Sequence, residues 1–444
     1  MSTRRIHALP PRPRSPGPGA AVFVLGVSVG LLAALVIERA ARLFFDRDLE
    51  LVRAVRDLTL EEFVREVERD ELIDDALDGM LSRLDRYSHY YPPREIAALE
   101  RETSGEFLGI GVVFRGGEPG RILFPYPGSP ADKAGLRVGD RILSAEGKPV
   151  ASMEPQQLQA LLHREEAELH LDVEGLEGAQ REVVLRPEVV LDPTVRHARM
   201  LAGEGGIGYL AIRSFSHRTT QEFDEAVAEL KRAGLRALVL DLRADPGGIL
   251  DAAVSIANRF VARGALVATR SRTETRVTEA KPEEATLAGL PLVVLLDSSS
   301  ASASEVLAAA LQDHAAACLV GEPSFGKGTV QTLKHLGDER AVVKLTTASY
   351  CSPSLRRIEH ADDDAEHSGI APDLFVPLSA SEHDEVHRYL FSYSPPESAL
   401  AALRAWEARE GLDLIDEPPR DRQLEAAVAL LVGGALDLHG DPLP

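Results

Sequence analysis

Residues 291–331 decide the fold, and they read PLVVLLDSSSASASEVLAAALQDHAAACLVGEPSFGKGTVQ. Residues 291–296 form a short apolar run that predicts a buried strand. Asp297 and three serines interrupt that run, and residues 303–314 then carry apolar side chains at helical spacing. A strand, a tight turn and a helix hold side chains on a rigid scaffold, and the helix start supplies unpaired N–H groups.

One serine and one lysine in this stretch are candidates for chemistry. Ser302 and Glu305 fit a capping box, which places Ser302 at the helix start. Lys327 lies between Gly326 and Gly328, where close backbone packing would remove water from its amine. A serine needs a base to take its proton, and a lysine is a base only when neutral. That requires its pKa to fall from about 10.4 towards 7, a shift of about 4–5 kcal/mol.

The residues S-A-S-A-S-E at 300–305 and F-G-K-G at 325–328 resemble the motifs of the carboxyl-terminal processing, or tail-specific, serine proteases. The resemblance extends from about residue 72 to residue 378. It implies that Ser302 is the nucleophile, that Lys327 is the base and that Gln331 orients the lysine. The implied activity is that of a serine endopeptidase.

Residues 241–248, D-L-R-A-D-P-G-G, resemble a second motif of the same family. The resemblance implies that the backbone N–H groups of Gly248 and Ala303 form the oxyanion hole. Glycine suits this role because its backbone can approach a substrate closely. Asp245 stands where the family usually has asparagine, which adds charge near the site.

Residues 105–187 resemble a PDZ domain of the bacterial protease type, from the glycine pattern at 105–111 and the helix–turn–strand pattern at 128–143. The backbone of Leu108, Gly109, Ile110 and Gly111 is a candidate nest for a peptide's C-terminal carboxylate. The bound peptide would add a strand beside residues 112–114.

The predicted architecture has several parts. The core, residues 188–378, is an α/β protease domain with crotonase- or Clp-like layered ββα units, because strands alternate with helices and the family has that fold. A mainly-β PDZ domain is inserted before it, and residues 45–104 are predicted to be a helical segment. Residues 379–444 form a C-terminal extension with helices at 397–410 and 422–432.

The N-terminus predicts one transmembrane helix. Residues 20–37 are an uncharged run, long enough to cross the hydrocarbon core. Arginines precede it in a Pro-rich tail, residues 1–19, that is predicted to be disordered and cytoplasmic. The positive-inside rule then places the catalytic body on the periplasmic side of the inner membrane. A cleaved signal peptide is the alternative, although no clear A-x-A site follows the run.

Composition limits the partners. The net charge of −21 over 444 residues argues against nucleic acid. Cys318 and Cys351 are too few for a disulfide framework and are predicted to be buried free thiols. The chemistry is expected to need no metal or cofactor, and the acidic segment 360–367 is predicted to be a solvated loop. The expected partners are proteins or peptides with accessible C-terminal tails, and a homodimer and an adaptor protein stay open.

Two further sequence patterns and two other functions compete with this interpretation. Residues 26–30 match G-x-S-x-G but lie in the apolar run, and residues 321–328 match a P-loop except for their last residue. A catalytically weak PDZ scaffold at the membrane is one alternative, and an acyl-CoA hydratase-like enzyme is the other. The intact Ser302, Lys327 and Gln331 argue against the scaffold, and the PDZ domain and export signal argue against the hydratase.

Overall fold

A computed structural model describes residues 47–164, 168–203, 205–337, 341–358, 369–391, 395–412 and 418–433. The predicted tail 1–19, the predicted anchor 20–37 and the segment 360–367 lie outside these residues. No helix among the described residues is both long and apolar enough to cross a membrane. The chain divides into two compact units, residues 1–83 and residues 84–444.

The first unit contains two helices, α1 (Arg47–Glu62) and α2 (Arg69–Ser82). Both leave large apolar side chains exposed, among them Leu51, Val55 and Met80. The helices agree with the predicted helical segment at residues 47–62 and 69–82, and residues 63–68 between them are not helical.

The start of the second unit corrects the predicted helical segment 45–104. It contains the strand β1 (His89–Tyr91) before the helix α3 (Pro93–Ser104). β1 pairs antiparallel with residues 342–344, so this segment contributes a strand to the protease core. The sequence HYY is rich in aromatic residues, which favour strands where one face is buried.

The PDZ domain predicted at residues 105–187 contains β2 (Glu106–Gly109), β3 (Val112–Phe114), β4 (Ile122–Pro125), α4 (Pro130–Lys133), β5 (Arg141–Ala145), β6 (Lys148–Pro149), α5 (Pro155–Leu162), β7 (Leu169–Glu174) and β8 (Gln180–Leu185). The strand β9 (Glu188–Leu191), which pairs with β2, begins one residue after the predicted end of the domain. Four strands form a sheet in the order β6-β5-β7-β8, β3 pairs with β4, and β2 pairs with β9. Buried and exposed residues alternate along β7, as expected for a sheet with one face on a core. The separate core of this domain extends from Ile110 to Leu185.

The protease core comprises β10 (Val195–Met200), β11 (Ile207–Ile212), α6 (Thr219–Arg232), β12 (Ala237–Asp241), α7 (Leu250–Phe260), β13 (Ala265–Ser271), β14 (Thr275–Glu279), β15 (Leu292–Leu296), α8 (Ala303–Asp313), β16 (Cys318–Gly321), β17 (Thr329–Leu336), β18 (Ala341–Cys351) and β19 (Leu374–Phe375). Its main sheet has the order β10-β11-β12-β15-β16-β19. The pairs from β11 to β19 are parallel, and β10 is antiparallel to β11.

Both faces of the main sheet are covered, which explains the continuous apolar sequences of β12 and β15. Leu238 and Leu240 pack into a cluster with α6, α7 and α8. Val239 packs on the opposite face with residues of the C-terminal extension. Parallel strands bring their carboxyl ends to one edge, so the turns after β12, β15 and β16 lie together.

A second sheet has the order β1-β18-β13-β14, with β17 also paired to β18. β17 begins two residues after Lys327 and carries Gln331. This sheet therefore holds the segment of the predicted base, whereas the main sheet holds the nucleophile turn.

The C-terminal extension has three described helices, α9 (Ala380–Phe391), α10 (Glu397–Glu410) and α11 (Arg422–Val432). The predicted helices 397–410 and 422–432 are confirmed, and α9 was missed. α11 packs on the main sheet, and α10 packs on the PDZ domain through Leu403 and Trp406. The extension therefore braces both domains of its own chain.

Arg243 fixes α11 to the end of β12. Its guanidinium is buried and forms 2.6 Å ion pairs with Asp241 and Asp421. Asp421 also caps α11 by accepting from the backbone N–H of Gln423. Loss of one carboxylate would leave a buried cation short of its partner, at a cost of about 3–5 kcal/mol.

Candidate active site

The nucleophile turn connects β15 to α8. Ser302 stands immediately before α8 with φ 57° and ψ −112°, a conformation that a non-glycine residue adopts only under strain. The neighbouring serines have structural partners. The Ser300 hydroxyl donates to the carbonyl of Leu242 (2.8 Å), and the Ser304 hydroxyl donates to the carbonyl of Asp245 (3.1 Å). Of the three serines, only Ser302 combines a helix-start position with a strained backbone.

Two glycines bring a second backbone segment against this turn. A Cβ on Gly247 would lie 2.5 Å from the carbonyl oxygen of Ala301 and 2.8 Å from the nitrogen of Ala303. A Cβ on Gly248 would lie 2.1 Å from the carbonyl oxygen of Phe215. Side chains are therefore excluded here, and the 247–248 backbone reaches the nucleophile turn. Within the described residues, no group accepts a hydrogen bond from the N–H of Gly248 or Ala303.

Asp245 is completely buried beside this loop. One carboxylate oxygen accepts from the N–H of Gly247 (2.8 Å), and the other has no hydrogen-bond partner among the described residues. Burial raises the pKa of Asp245 to about 8, although the Gly247 N–H and the charge of Arg213 oppose the rise. Near neutral pH the side chain is therefore uncharged, like the asparagine that the resembling motif usually carries.

Glu305 joins the nucleophile turn to the loop of Lys327. Its buried carboxylate accepts from the backbone N–H of Ser302 (2.7 Å), Gly326 (2.6 Å) and Lys327 (2.8 Å). It also accepts from the hydroxyl of Ser324 (2.5 Å). Burial raises the pKa of Glu305, and these four donors oppose that rise. The capping-box pattern placed Glu305 at the helix start but gave no sign of its bonds to residues 324–327.

The Lys327 amine lies over the ring of Tyr87, 4.7 Å from its centroid. Burial lowers its pKa, and the charges of Lys344 and Arg86 lower it further against the effect of Glu305. No hydrogen bond joins this amine to the Ser302 hydroxyl in the part of the chain that the structure describes. The sequence did not predict a role for Tyr87 or Lys344, since both are distant in the chain.

Gln331 does not contact the lysine amine through a hydrogen bond among the described residues. Its amide donates to the hydroxyls of Thr329 (2.8 Å) and Thr346 (3.4 Å). The side chain therefore lies in the hydrogen-bonded layer between β17 and β18.

In the predicted carboxylate nest, Leu108 and Gly109 form the end of β2, which pairs with β9, and Ile110 and Gly111 connect β2 to β3. The Ile110 carbonyl accepts from Ala131 (2.9 Å), and the Gly111 carbonyl accepts from Tyr126 (2.9 Å). Gly111 has φ 74°, and a Cβ there would lie 2.3 Å from the Cβ of Ser129. Because a trans peptide unit has its C=O and N–H on opposite sides, the N–H of Gly111 faces away from Ala131.

β3, the strand that follows Gly111, is an edge strand among the described residues. Among the described strands, β3 pairs only with β4, which leaves its other edge for an added strand. On β2, Phe107 lies 5.9 Å from His163 and 6.1 Å from Tyr126 between ring centroids. These aromatic rings provide apolar contacts near Gly109.

Glu305→Gln tests whether the carboxylate organises the site. A glutamine keeps the size but has one acceptor oxygen, and its NH₂ group would face backbone N–H donors. We expect a loss of about 2 kcal/mol in transition-state stabilisation, or roughly 30-fold in kcat/KM, measured on a cleavable peptide.

Glu382→Gln is the matched control, because Glu382 accepts from the N–H (2.8 Å) and hydroxyl (2.7 Å) of Ser379 in an exposed box at the start of α9. We expect less than about a twofold change there. An unchanged kcat/KM in Glu305→Gln would show that the second acceptor oxygen is not needed.

Two family models match this chain. The model described as peptidase family S41 matches residues 206–376, and a PDZ domain model matches residues 122–175. These ranges lie within the predicted protease core and the predicted PDZ domain.

Three curated relatives resemble the chain over most of its length. A carboxy-terminal-processing protease of Bartonella bacilliformis is 33% identical over 69% of this chain and 70% of its own length. The carboxy-terminal processing protease CtpA of Bacillus subtilis is 32% identical over 65% of this chain and 62% of its own length. A carboxyl-terminal-processing protease of Synechocystis is 31% identical over 82% of this chain and 78% of its own length.

Proposed function

Because this chain belongs to the carboxy-terminal processing proteases of peptidase family S41, a family of serine-type peptidases, we propose that Ser302 is its nucleophile and Lys327 its general base. The observation that carries the proposal is the carboxylate of Glu305, which accepts from the backbone N–H of both residues. Family membership disfavours the scaffold and the hydratase-like enzyme.

Acylation begins when the Ser302 hydroxyl attacks the substrate carbonyl and gives its proton to the Lys327 amine. For this step the amine leaves the face of Tyr87 and comes within hydrogen-bond reach of Ser302. Catalytic hydrogen bonds are often long or unformed until substrate binds, so the resting position of the amine is compatible with this role. The negative charge of the tetrahedral intermediate is stabilised by the N–H groups of Gly248 and Ala303.

Collapse of the intermediate breaks the peptide bond. The protonated Lys327 gives its proton to the leaving amine, which departs as the new N-terminus. The neutral lysine then takes a proton from a water molecule that attacks the acyl-enzyme, and Ser302 regains that proton as the new C-terminal carboxylate forms.

Gln331 is proposed to hold the Lys327 amine during turnover. Gln331 is the third residue of β17 and Lys327 lies two residues before that strand, so both belong to one short segment of the chain. Asp245 supports the oxyanion hole in its neutral form, because an ionised carboxylate there would repel the developing oxyanion.

The PDZ domain is proposed to recognise the C-terminal tail of protein substrates. Two features support this: the connection of Ile110 and Gly111 that follows Leu108 and Gly109 at the end of β2, and the second edge of β3, which pairs with no described strand. A free carboxylate can accept from backbone N–H groups of this segment while the peptide adds a strand.

A pair of peptides, one with a free C-terminus and one amidated, tests tail recognition. Amidation removes the charge and one acceptor oxygen, which should cost about 2–3 kcal/mol, or tens of fold to about a hundredfold in kcat/KM. A variant without residues 107–186 should cleave both peptides with equal efficiency, provided that it stays folded by circular dichroism. Equal rates for both peptides with the intact protein would exclude tail recognition but leave the Ser302–Lys327 chemistry standing.

Membrane anchoring is a further part of the proposal. Residues 20–37 are uncharged and follow Arg4, Arg5, Arg12 and Arg14, which supports a cytoplasmic N-terminus and a catalytic body on the periplasmic side. A membrane-held protease with an exported body would meet exported or membrane proteins as substrates. A homodimer and an adaptor that delivers substrates remain compatible with this arrangement.

Protease accessibility tests the topology. In spheroplasts, protease added outside should digest the chain beyond residue 45, because the body lies outside the inner membrane. A cytoplasmic marker protein in the same sample should stay intact. Protection of residues 45–444 under these conditions would overturn the proposed orientation.

A further inference from the structure

A group of metal-ligand side chains lies where the C-terminal extension meets the nucleophile turn. His383 and His387 are one helical turn apart on α9, and their rings are 3.9 Å apart between centroids. Both direct Nε2 towards Oδ2 of Asp297, at 4.0 Å for His383 and 2.5 Å for His387. Ligand atoms of the three residues all lie within 4.8 Å of one another.

Backbone hydrogen bonds hold the carboxylate of Asp297 in position. It follows β15 directly and is 2% exposed. Its Oδ1 accepts from the N–H of Ser299 (2.9 Å) and Ser300 (3.1 Å). The N–H of Ala244 is shared between the two carboxylate oxygens, at 3.1 Å from Oδ1 and 3.2 Å from Oδ2. Oδ1 is thus held by the turn, and Oδ2 is directed at the two histidines.

We propose that Asp297, His383 and His387 bind a divalent transition-metal ion of the Zn²⁺ type. Two imidazole nitrogens and one carboxylate oxygen form a donor set that suits Zn²⁺, with bonds of about 2.0–2.2 Å. Ligand atoms at that distance in a tetrahedral site are roughly 3.4 Å apart. The observed separations of 2.5 and 4.0 Å from Oδ2 lie on either side of this value, so the ion would bind with the His387 ring moved away from Oδ2 and the His383 ring moved closer.

The i, i+4 spacing supports a shared ligand set. Residues four apart lie on one face of a helix, and two histidines at this spacing are a recurrent way to present two nitrogens to one metal. Water would complete the coordination, as in sites with three protein ligands.

Arg213 carries a positive charge near the three proposed ligands, and this charge would repel a bound cation. Its guanidinium donates to the Ala244 carbonyl (2.9 Å) and lies 3.9 Å from the centroid of the Phe391 ring, beside the same cluster. A nearby cation weakens binding of another, so we expect a weaker site than a four-ligand structural zinc site.

The ion would affect the active site by holding the nucleophile turn in position, and it would take no part in peptide cleavage itself. Asp297 Oδ1 holds residues 299–300, which precede Ser302, and Ala244 precedes the loop of Gly248. A metal that joins Oδ2 to α9 would therefore stiffen both segments of the proposed catalytic site. Such a metal is regulatory or structural, and its binding can be measured without any assay of peptide cleavage.

The test is a titration of the full chain, first stripped with a chelator, with Co²⁺ as a spectroscopic probe. Wild type should take up one equivalent in a saturable way, with visible absorption of tetrahedral intensity that Zn²⁺ removes by competition. His383→Ala should weaken the affinity at least about tenfold. His383 is the preferred position because its Nε2 lies 4.0 Å from Asp297, so the 2.5 Å contact of His387 survives the substitution.

Two controls separate this site from other histidines. His335→Ala changes an exposed histidine on β17, and the double variant His360→Ala with His367→Ala removes the histidines of the acidic segment. Both should keep the wild-type affinity, and Zn²⁺ should raise the Tm of these controls but not that of His383→Ala. Absence of saturable binding in wild type, or equal affinity in His383→Ala, would overturn the proposal and leave a hydrogen-bonded Asp–His pair.

Discussion

Ser302→Ala is expected to abolish peptide cleavage and to leave the fold intact. The substitution removes the only atom that can form the acyl-enzyme, and loss of a nucleophile lowers kcat by about 10⁴–10⁶. Alanine keeps the backbone of the turn, so Glu305 still accepts from the residue 302 N–H. We expect an unchanged circular dichroism spectrum and a Tm within a few degrees of wild type.

The neighbouring serines are the matched controls, since all three lie in the sequence S-A-S-A-S. Ser300 and Ser304 are fully buried and donate to carbonyl oxygens of Leu242 and Asp245. Their replacement by alanine should cost about 1–2 kcal/mol of stability and leave at least partial activity. Full activity in Ser302→Ala, or complete inactivity of a folded Ser300→Ala protein, would contradict the assignment of the nucleophile.

The sequence predicted the strand–turn–helix around Ser302 because local signals agree there. An apolar run predicted β15, a capping box predicted the start of α8, and the observed helix Ala303–Asp313 ends one residue before the predicted end. The same agreement of pattern and propensity predicted the helices 397–410 and 422–432. Cys351 is a buried free thiol as predicted, whereas Cys318 is free but only half-buried.

Contacts between distant segments could not be predicted from such signals. β1 is three residues long and gains its partner from β18, more than 250 residues later in the sequence. The bonds from Glu305 to residues 324–327 and the position of Lys327 over Tyr87 depend on tertiary packing. α9 was not predicted, although Val386 and Leu390, its buried residues, have helical spacing.

Replacement of Lys327, the proposed base, is expected to have the second large effect on activity. Lys327→Ala should lower kcat by about 10²–10⁴, since general-base catalysis contributes that much, while tail-dependent peptide binding stays intact. Lys327→Arg should be equally inactive, because a guanidinium does not lose its proton in a protein. Substantial activity in Lys327→Arg would exclude proton abstraction by this residue.

The pH profile of wild-type kcat/KM should be bell-shaped. Lys327 acts only when neutral, so activity rises with pH through a pKa that burial, Lys344 and Arg86 hold below its usual range. Asp245, whose pKa burial raises to about 8, becomes charged at higher pH and repels the oxyanion, so activity falls again.

Two variants separate the limbs of this profile. Lys344→Met removes a cation that lowers the pKa of Lys327, so the acid limb should move to higher pH. Asp245→Asn removes the group with the pKa of about 8, so the alkaline limb should disappear while the acid limb stays in place. Asparagine also fits the site, because the buried carboxyl is uncharged near neutral pH. An acid limb that does not move in Lys344→Met would show that a group other than Lys327 controls it, and the assignment of the base would fail.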